Sequence, residues 1–212
     1  MVERVDVQVA GEPVQLLADR ALYWPARRRL LIADLHLGKG DTFRAAGISV
    51  PSGGTLHDLA RLDRLLHATD ARALWILGDF LHARHHAQVD AAWLAFRARH
   101  AGIDVTVVSG NHDRALDAGR LGIELIAGAC SEGPFVLRHA PPHAGGSSAA
   151  HVVCGHLHPV ARLPVVGRVP VFWLSAAQTV LPAFSAFTGG QPLARHPGER
   201  LFACNGEAIV AL

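Results

Sequence analysis

The stretch HVVCGHLHP, residues 151–159, begins as a buried strand should, with Val152, Val153 and Cys154. It then breaks at Gly155 and sets His156 and His158 around a single leucine. A short apolar run bounded by a turn signal reads as a strand, but its ending on two imidazoles needs a reason. A histidine beside an apolar segment is more often a hydrogen-bonded structural residue than a ligand. The recurrence of the ending decides the matter. RRRLLIADLH (27–36) is a basic lead into an apolar strand that closes on Asp34 and His36. ARALWILGD (71–79) closes on Gly78-Asp79, and IDVTVVSGNHD (103–113) on Gly110-Asn111-His112-Asp113. GPFVLRH (133–139) closes on His139.

Between these strands the first half reads as helical. From Thr55 to Ala68, Leu59, Leu62 and Leu66 share one face, with Arg61, Asp63 and Arg64 largely opposite. Gln88 to His100 is helical in pattern, with Trp93 and Phe96 three apart. Ahead of them Val5, Val7 and Val9 alternate with polar residues, and Val14 to Leu17 can return as the hairpin partner. The second half is a series of short β segments, and Asn205-Gly206 is a hairpin turn signal. APPHAGGSSAA (140–150) reads as a surface loop. The expected fold is α/β, a layered α/β/β/α-type sandwich of mixed sheets, with any ligand beyond the carboxyl ends of the strands.

The bulk numbers agree. A chain of 212 residues, half of them hydrophobic, fits a single domain, 1–212, with a substantial core. The net charge of +2 is mild, and Lys39 is the only lysine. Three widely spaced cysteines in apolar contexts imply buried thiols rather than a disulfide framework or a cysteine metal site. Charges within the first six residues argue against a signal peptide, and no uninterrupted apolar run is long enough to span a membrane. These features read as a soluble cytoplasmic protein.

If the strand ends converge, they bring two carboxylates, an amide oxygen and several imidazoles into one small volume. Glycines before Asp79, Asn111 and His156 would let the backbone turn and approach closely there. Hard oxygen and borderline nitrogen donors together suit Mn²⁺, Fe or Zn²⁺, and the absence of cysteine from the set disfavours Cu(I) or an iron–sulfur cluster. The donors exceed one tetrahedral ion and suit a two-metal site. Four positive charges against the two carboxylates of Asp34 and Asp79 would attract a phosphate ester and stabilise a hydroxide near neutral pH.

The ordered set DLH, GDFLH, GNHD, a lone histidine and GHLH resembles the calcineurin-like metallophosphoesterase superfamily over nearly the whole chain. The resemblance implies that Asp34, His36 and His158 hold one metal and that Asn111, His139 and His156 hold the other. It implies further that Asp79 bridges them, that His112 is the general acid, and that phosphodiesters are hydrolysed by a metal-bridging hydroxide. The cofactor implied is a pair of divalent ions, Mn²⁺ first among the candidates.

The flanks LYWPARRRLLIADLHLGKGDTFRAAGISVP (22–51) and LPAFSAFTGG (181–190) are similar to the small bacterial phosphoesterases that accompany a DNA ligase and a helicase in the damage response. Those proteins are known as endonucleases. The implied substrate is DNA, the implied partners are that ligase and helicase, and no membrane is involved. A small nucleotide or cyclic nucleotide is the alternative substrate, and a metal-free scaffold a more distant one.

One departure stands out. The second aspartate of the family's Gly-Asp-x-x-Asp is His82 here, which leaves open what orients His112 and leans the substrate toward nucleic acid. RHAPPH offers His143 beside His139, and His139 is preferred because it directly follows the apolar run. Lys39 and Arg44 follow the first motif and read equally as phosphate contacts or as loop charges. His82, His85 and His86 fall at helical spacing and read first as solvated or capping residues, with an accessory ligand group as the alternative, and His82 joins Lys39 and Arg44 as a candidate substrate contact.

Overall fold

The computed structural model describes residues 2–82, 87–113, 116–142, 150–193 and 196–212, and in it the chain builds two sheets. The first has seven strands in chain order: β1 Arg4–Val9, β2 Glu12–Leu17, β3 Ala21–Trp24, β4 Arg29–Ile32, β5 Ala73–Leu77, β6 Asp104–Val108 and β7 Glu124–Ile126. β1 to β4 pair antiparallel and β4 to β7 parallel. The crossovers carry the helices α1 Lys39–Ala45, α2 Gly54–Thr69 and α3 Ala87–Arg99.

The second sheet contains β8 Ala129–Glu132, β9 Phe135–Arg138, β10 His151–Cys154, β11 Pro159–Leu163, β12 Gly167–Leu174, β13 Gln178–Val180 and β14 Gln191–Pro192. Its spatial order is β14-β11-β12-β13-β10-β9-β8, with β15 Arg200–Cys204 on β12 and β16 Ile209–Ala211 on β15. β9, β10 and β13 run parallel.

The alternation of side chains sorts these elements into layers. Leu59, Leu62, Leu65, Leu66, Trp93 and Phe96 bury one face of α2 and α3 on Leu30, Ile32, Leu74, Ile76 and Val107. The opposite face of that sheet, with Leu31, Trp75 and Leu77, packs on Phe135, Leu137, Val153, Phe172 and Phe202 of the second sheet. This is the expected layered sandwich of two mixed sheets, but where the expectation had a helical layer on each outer face, the described residues show one, on the first sheet. Both expected helices and the opening hairpin are present, and at Asn205-Gly206 the Asn205 side chain accepts from the N–H groups of Glu207 and Ala208. Of the cysteines, Cys154 and Cys204 are buried and Cys130 is half-buried.

Arg61 departs from the helical wheel. Placed on the polar face of α2 by its spacing, it is buried. Its guanidinium donates to the Asp19 carboxylate (3.2 Å), the Asp58 carboxylate (3.1 Å) and the carbonyls of Asp19 (2.9 Å) and Phe184 (2.7 Å). It also lies over the Phe184 ring, 4.3 Å from the centroid. The polar side of the helix thus becomes an ionic clamp on a segment that the hydrophobic pattern could not foresee. Arg61→Ala would leave two buried carboxylates uncompensated, so we expect a loss of roughly 3–5 kcal/mol in a denaturant titration. A loss below about 1 kcal/mol, the worth of an exposed pair, would refute the clamp.

Candidate metal centre

All five strand ends meet. Asp34 follows β4, Asp79 β5, Asn111 β6, His139 β9 and His156 β10, each at a carboxyl end. The chain reaches them through strained turns. Asp34 (φ 55°), His36 (46°), Asp79 (48°), His156 (68°) and His158 (48°) all occupy the left-handed region. Such conformations cost about 1–3 kcal/mol each and persist only where the surroundings hold them. Here the loops hold each other. Asp34 N–H donates to the Gly78 carbonyl (3.2 Å), His36 N–H to Asp79 (2.8 Å) and Leu37 N–H to Phe80 (2.9 Å).

The three glycines have a visible reason. A Cβ on Gly78 would collide with the His139 ring, one on Gly110 with Asp79, and one on Gly155 with Ala33 and the Asp34 carboxylate. The close approach expected of them is therefore an approach to one another's functional side chains.

Two three-residue groups result. Asp34, His36 and His158 form one, and Asp79, His139 and His156 the other; within each, the potential ligand atoms lie within 4.8 Å of one another. Asp79 faces both groups: its Oδ1 is 3.6 Å from His139 Nε2, and its Oδ2 is 3.9 Å from His36 Nε2. Asp34 Oδ2 accepts the His156 N–H at 2.8 Å, while Oδ1 lies 3.5 Å from His158 Nε2. His139 Nδ1 donates to the Leu77 carbonyl (3.0 Å), which fixes the tautomer and leaves Nε2 as a lone pair facing the centre.

Burial keeps two of the rings, His36 and His156, neutral. Burial, with Lys39 and His158 adding to it, pushes the His36 imidazole down to about 2. Burial and the neighbouring His139 also lower His156. Neutral imidazole is the form that binds metal.

Asn111 and His112 are exposed on the turn after β6, and the His112 N–H donates to Asp79 Oδ1 (3.1 Å). The His112 ring stacks on His82, with centroids 5.5 Å apart and planes 22° from parallel, and both rings pack edge-on against His36. Lys39 lies beside Asp34 and Asp79 and reaches Thr188 at 3.3 Å. Arg44 is engaged elsewhere, with Asp41 and with the Pro51 carbonyl (2.8 Å). His143, His85 and His86 lie outside the described residues.

Asp113, which the sequence reading left without a role, ties the loops together. Its carboxylate accepts the N–H groups of Phe80 (2.9 Å) and Gly110 (2.8 Å). Its place at the end of GNHD was the available signal. His151 shows the ordinary alternative for a histidine: buried in β10, it bonds Thr179 Oγ1 (2.9 Å) and faces no ligand group.

A third cluster, Asp63, His67 and His100, is of a different kind. His100 Nε2 hydrogen-bonds the Asp63 carboxylate at 2.6 Å, and the Arg99 guanidinium stands 3.8 Å from the same oxygen. That carboxylate is already satisfied, and the contact pins the end of α3 to α2.

Residues 27–135 match the family model of calcineurin-like phosphoesterases. The chain belongs to that family. The crystal structure of Pseudomonas putida nuclease MPE is 37% identical, covers 99% of this chain and 100% of its own, and superposes with a TM-score of 0.87. The E. coli phosphoesterase YfcE is far more distant, at 17% identity, coverage of 87% and 97%, and a TM-score of 0.47. No curated protein matches in sequence.

As a calcineurin-like phosphoesterase the chain is a metal-dependent hydrolase of phosphoesters. Its donor set suits divalent ions. Asp34 Oδ1, both ring nitrogens of His36 and His158 Nε2 are buried without a hydrogen-bond partner, a costly arrangement unless something else satisfies them. No helix among the described residues is long and apolar enough to cross a membrane.

Proposed function

We propose that this phosphoesterase is a dinuclear-metal-dependent phosphodiesterase that cleaves nucleic acid, a nuclease of ligase-associated DNA repair. The observation that carries the reading is Asp79, which presents one carboxylate oxygen to each of two ligand groups. In it, Asp34, His36 and His158 hold one ion and Asn111, His139 and His156 the other, with Asp79 shared and Mn²⁺ the preferred metal. When bound, the ions supply Lewis acidity toward the phosphoryl oxygens and an ionised water near neutral pH.

The chain's own residues do the rest. His112, anchored by its N–H on Asp79 and stacked on His82, carries the proton for the departing oxygen. Lys39 adds a cation for the substrate phosphate beside the two carboxylates. The nuclease MPE, similar over the full chain, supports nucleic acid as substrate. The likeness of residues 22–51 and 181–190 to the ligase-associated enzymes supports a DNA ligase and a helicase as partners.

The test is a panel of phosphoesters with added Mn²⁺: single-stranded DNA, a cyclic nucleotide, a nucleotide monoester and bis(4-nitrophenyl) phosphate. Metal-dependent cleavage of the DNA is expected. Turnover confined to the small nucleotides would overturn the nuclease reading.

A further inference from the structure

Directly after His158 the chain leaves the metal centre as a hairpin. β11 and β12 pair antiparallel with Val160 opposite Pro170, Ala161 opposite Val169, Arg162 opposite Arg168 and Leu163 opposite Gly167, so Pro164, Val165 and Val166 form the turn. The register shows where it goes. Trp173 of β12 is level with Val180 of β13, which is level with Cys154 of β10, the last strand residue before His156. From that level to Gly167 there remain six residues of β12, about 20 Å of strand. Because β12 runs antiparallel to β13, this length extends past the strand ends that carry the metal ligands. The hairpin is an arm beside the mouth of the site.

Its root is fixed and its tip is bare. Ala161 and Val169 are buried, Gln191 N–H donates to the His158 carbonyl (3.0 Å), and Leu193 N–H donates to Val160 (3.2 Å). A Cβ on Gly190 would collide with Val160, so the segment 190–193 lies tight against the base of the arm. At the tip, Val165 is 107% exposed and Val166 69%. Val165 has φ 67°, in a turn closed by the Val166 N–H on the Pro164 carbonyl (2.7 Å). A β-branched residue there is an outlier, and hairpins ordinarily use glycine or asparagine where φ is positive. Behind the tip, Arg162 and Arg168 are exposed, directly opposite on one face, and without an ion pair among the described residues. Like charges in that relation repel.

Local rules broken together on a surface are the mark of a binding element. Two cations on one face, without an ion pair among the described residues, call for a partner with closely repeated negative charge. The apolar tip beside them calls for a flat apolar surface. A nucleic-acid strand supplies both, but its base faces are open only where it is unpaired. A small ester held at the metals would not span the distance.

We infer that the β11–β12 hairpin holds an unpaired nucleic-acid strand beyond the scissile phosphate, with Arg162 and Arg168 on its phosphates and Val165 and Val166 against a base. The inference rests on the proposal that this site cleaves nucleic acid.

The experiment uses the full-length, manganese-loaded enzyme on a long single-stranded oligonucleotide and on bis(4-nitrophenyl) phosphate. In Arg162→Ala/Arg168→Ala the oligonucleotide KM should rise about ten-fold, and the slope of log kcat/KM against log salt should become shallower by roughly 1.4, two phosphates at about 0.7 each. Hydrolysis of the nitrophenyl ester should be unchanged. Arg162→Lys/Arg168→Lys should restore the salt slope. Val165→Gly/Val166→Ser should raise the oligonucleotide KM several-fold without altering that slope.

An alanine variant that cleaves the strand with wild-type KM and salt slope overturns the arm while leaving the nuclease reading intact. So does one that loses both substrates equally, because the hairpin would then act through the metal centre. A wild-type enzyme that turns over the small ester and leaves the strand whole removes both the arm and the reading beneath it.

Discussion

Asp79→Asn should lower turnover of every phosphoester by about three powers of ten and leave the fold in place. The charge stabilisation that bound ions give is worth several kcal/mol, and each 1.36 kcal/mol is a factor of about ten in rate. Asp79 turns its two oxygens to opposite ligand groups, at 3.6 Å from His139 and 3.9 Å from His36. In the proposed two-ion site the amide removes one of the two carboxylates that would stand against four positive charges. It keeps an oxygen that can accept the His112 N–H, so the GNHD loop need not move. Two readouts accompany the rate. Elemental analysis should find less metal per chain, and the rise in Tm expected when Mn²⁺ is added to the wild type should shrink. Full metal content with less than a ten-fold loss in rate would remove Asp79 from the centre of the site.

The carboxyl ends of the strands were legible in the sequence because two local signals coincide there. An apolar run specifies a buried strand, and a glycine before a polar residue specifies a tight approach. Gly78, Gly110 and Gly155 meet both conditions, and their contacts are with His139, Asp79 and Asp34. The left-handed backbone of Asp34, His36, Asp79, His156 and His158 was not legible, because aspartate and histidine tolerate it better than most residues yet adopt it only as a minority conformation. It is imposed by loops that hydrogen-bond one another across the chain. The short elements were hidden for a related reason. β3, β7, β8 and β13 have three or four residues each, too few to show a period, and exist because neighbouring strands pair with them.

LPAFSAFTGG is the clearest case of sequence similarity whose cause lay out of sight. It offers no metal donor, yet it braces the site from behind. Leu181 N–H bonds the Cys154 carbonyl (2.7 Å), Phe184 N–H bonds Ala33 (2.8 Å), and Ser185 N–H bonds Asp34 (3.2 Å), which joins the ends of β10 and β4. Its carbonyls at Ala183, Ser185 and Phe184 accept from Arg20 and Arg61. Phe187 fills the space over Gly40 and Gly54. A hydrophobic count over this segment reports apolar residues and nothing more. The specificity lies in which backbone groups they present to strands far away in the chain.

His112→Asn should separate substrates by their leaving groups. Cleavage of DNA expels an alkoxide, which needs a proton as the bond breaks, so loss of the acid should cost about 10²–10⁴-fold. A nitrophenolate leaves without much help, and bis(4-nitrophenyl) phosphate should lose less than about ten-fold. Metal content should stay at the wild-type level, since His112 is in neither ligand group. The surroundings of His112 sharpen the expectation. Where the family carries an aspartate, this chain has His82, whose ring stacks on His112 and is lowered by burial and by Lys39. Among the described residues no carboxylate hydrogen-bonds the His112 ring, and the Asp79 oxygen is 3.9 Å away. His112 is thus oriented by its own backbone bond and by ring packing on His82 and His36 rather than by a charged partner. A stacked neighbour lowered by burial fixes the angle of the ring without placing a charge beside it. Equal losses on DNA and on the nitrophenyl ester would mean that His112 serves the metals or the phosphate instead, and the acid would have to be sought elsewhere.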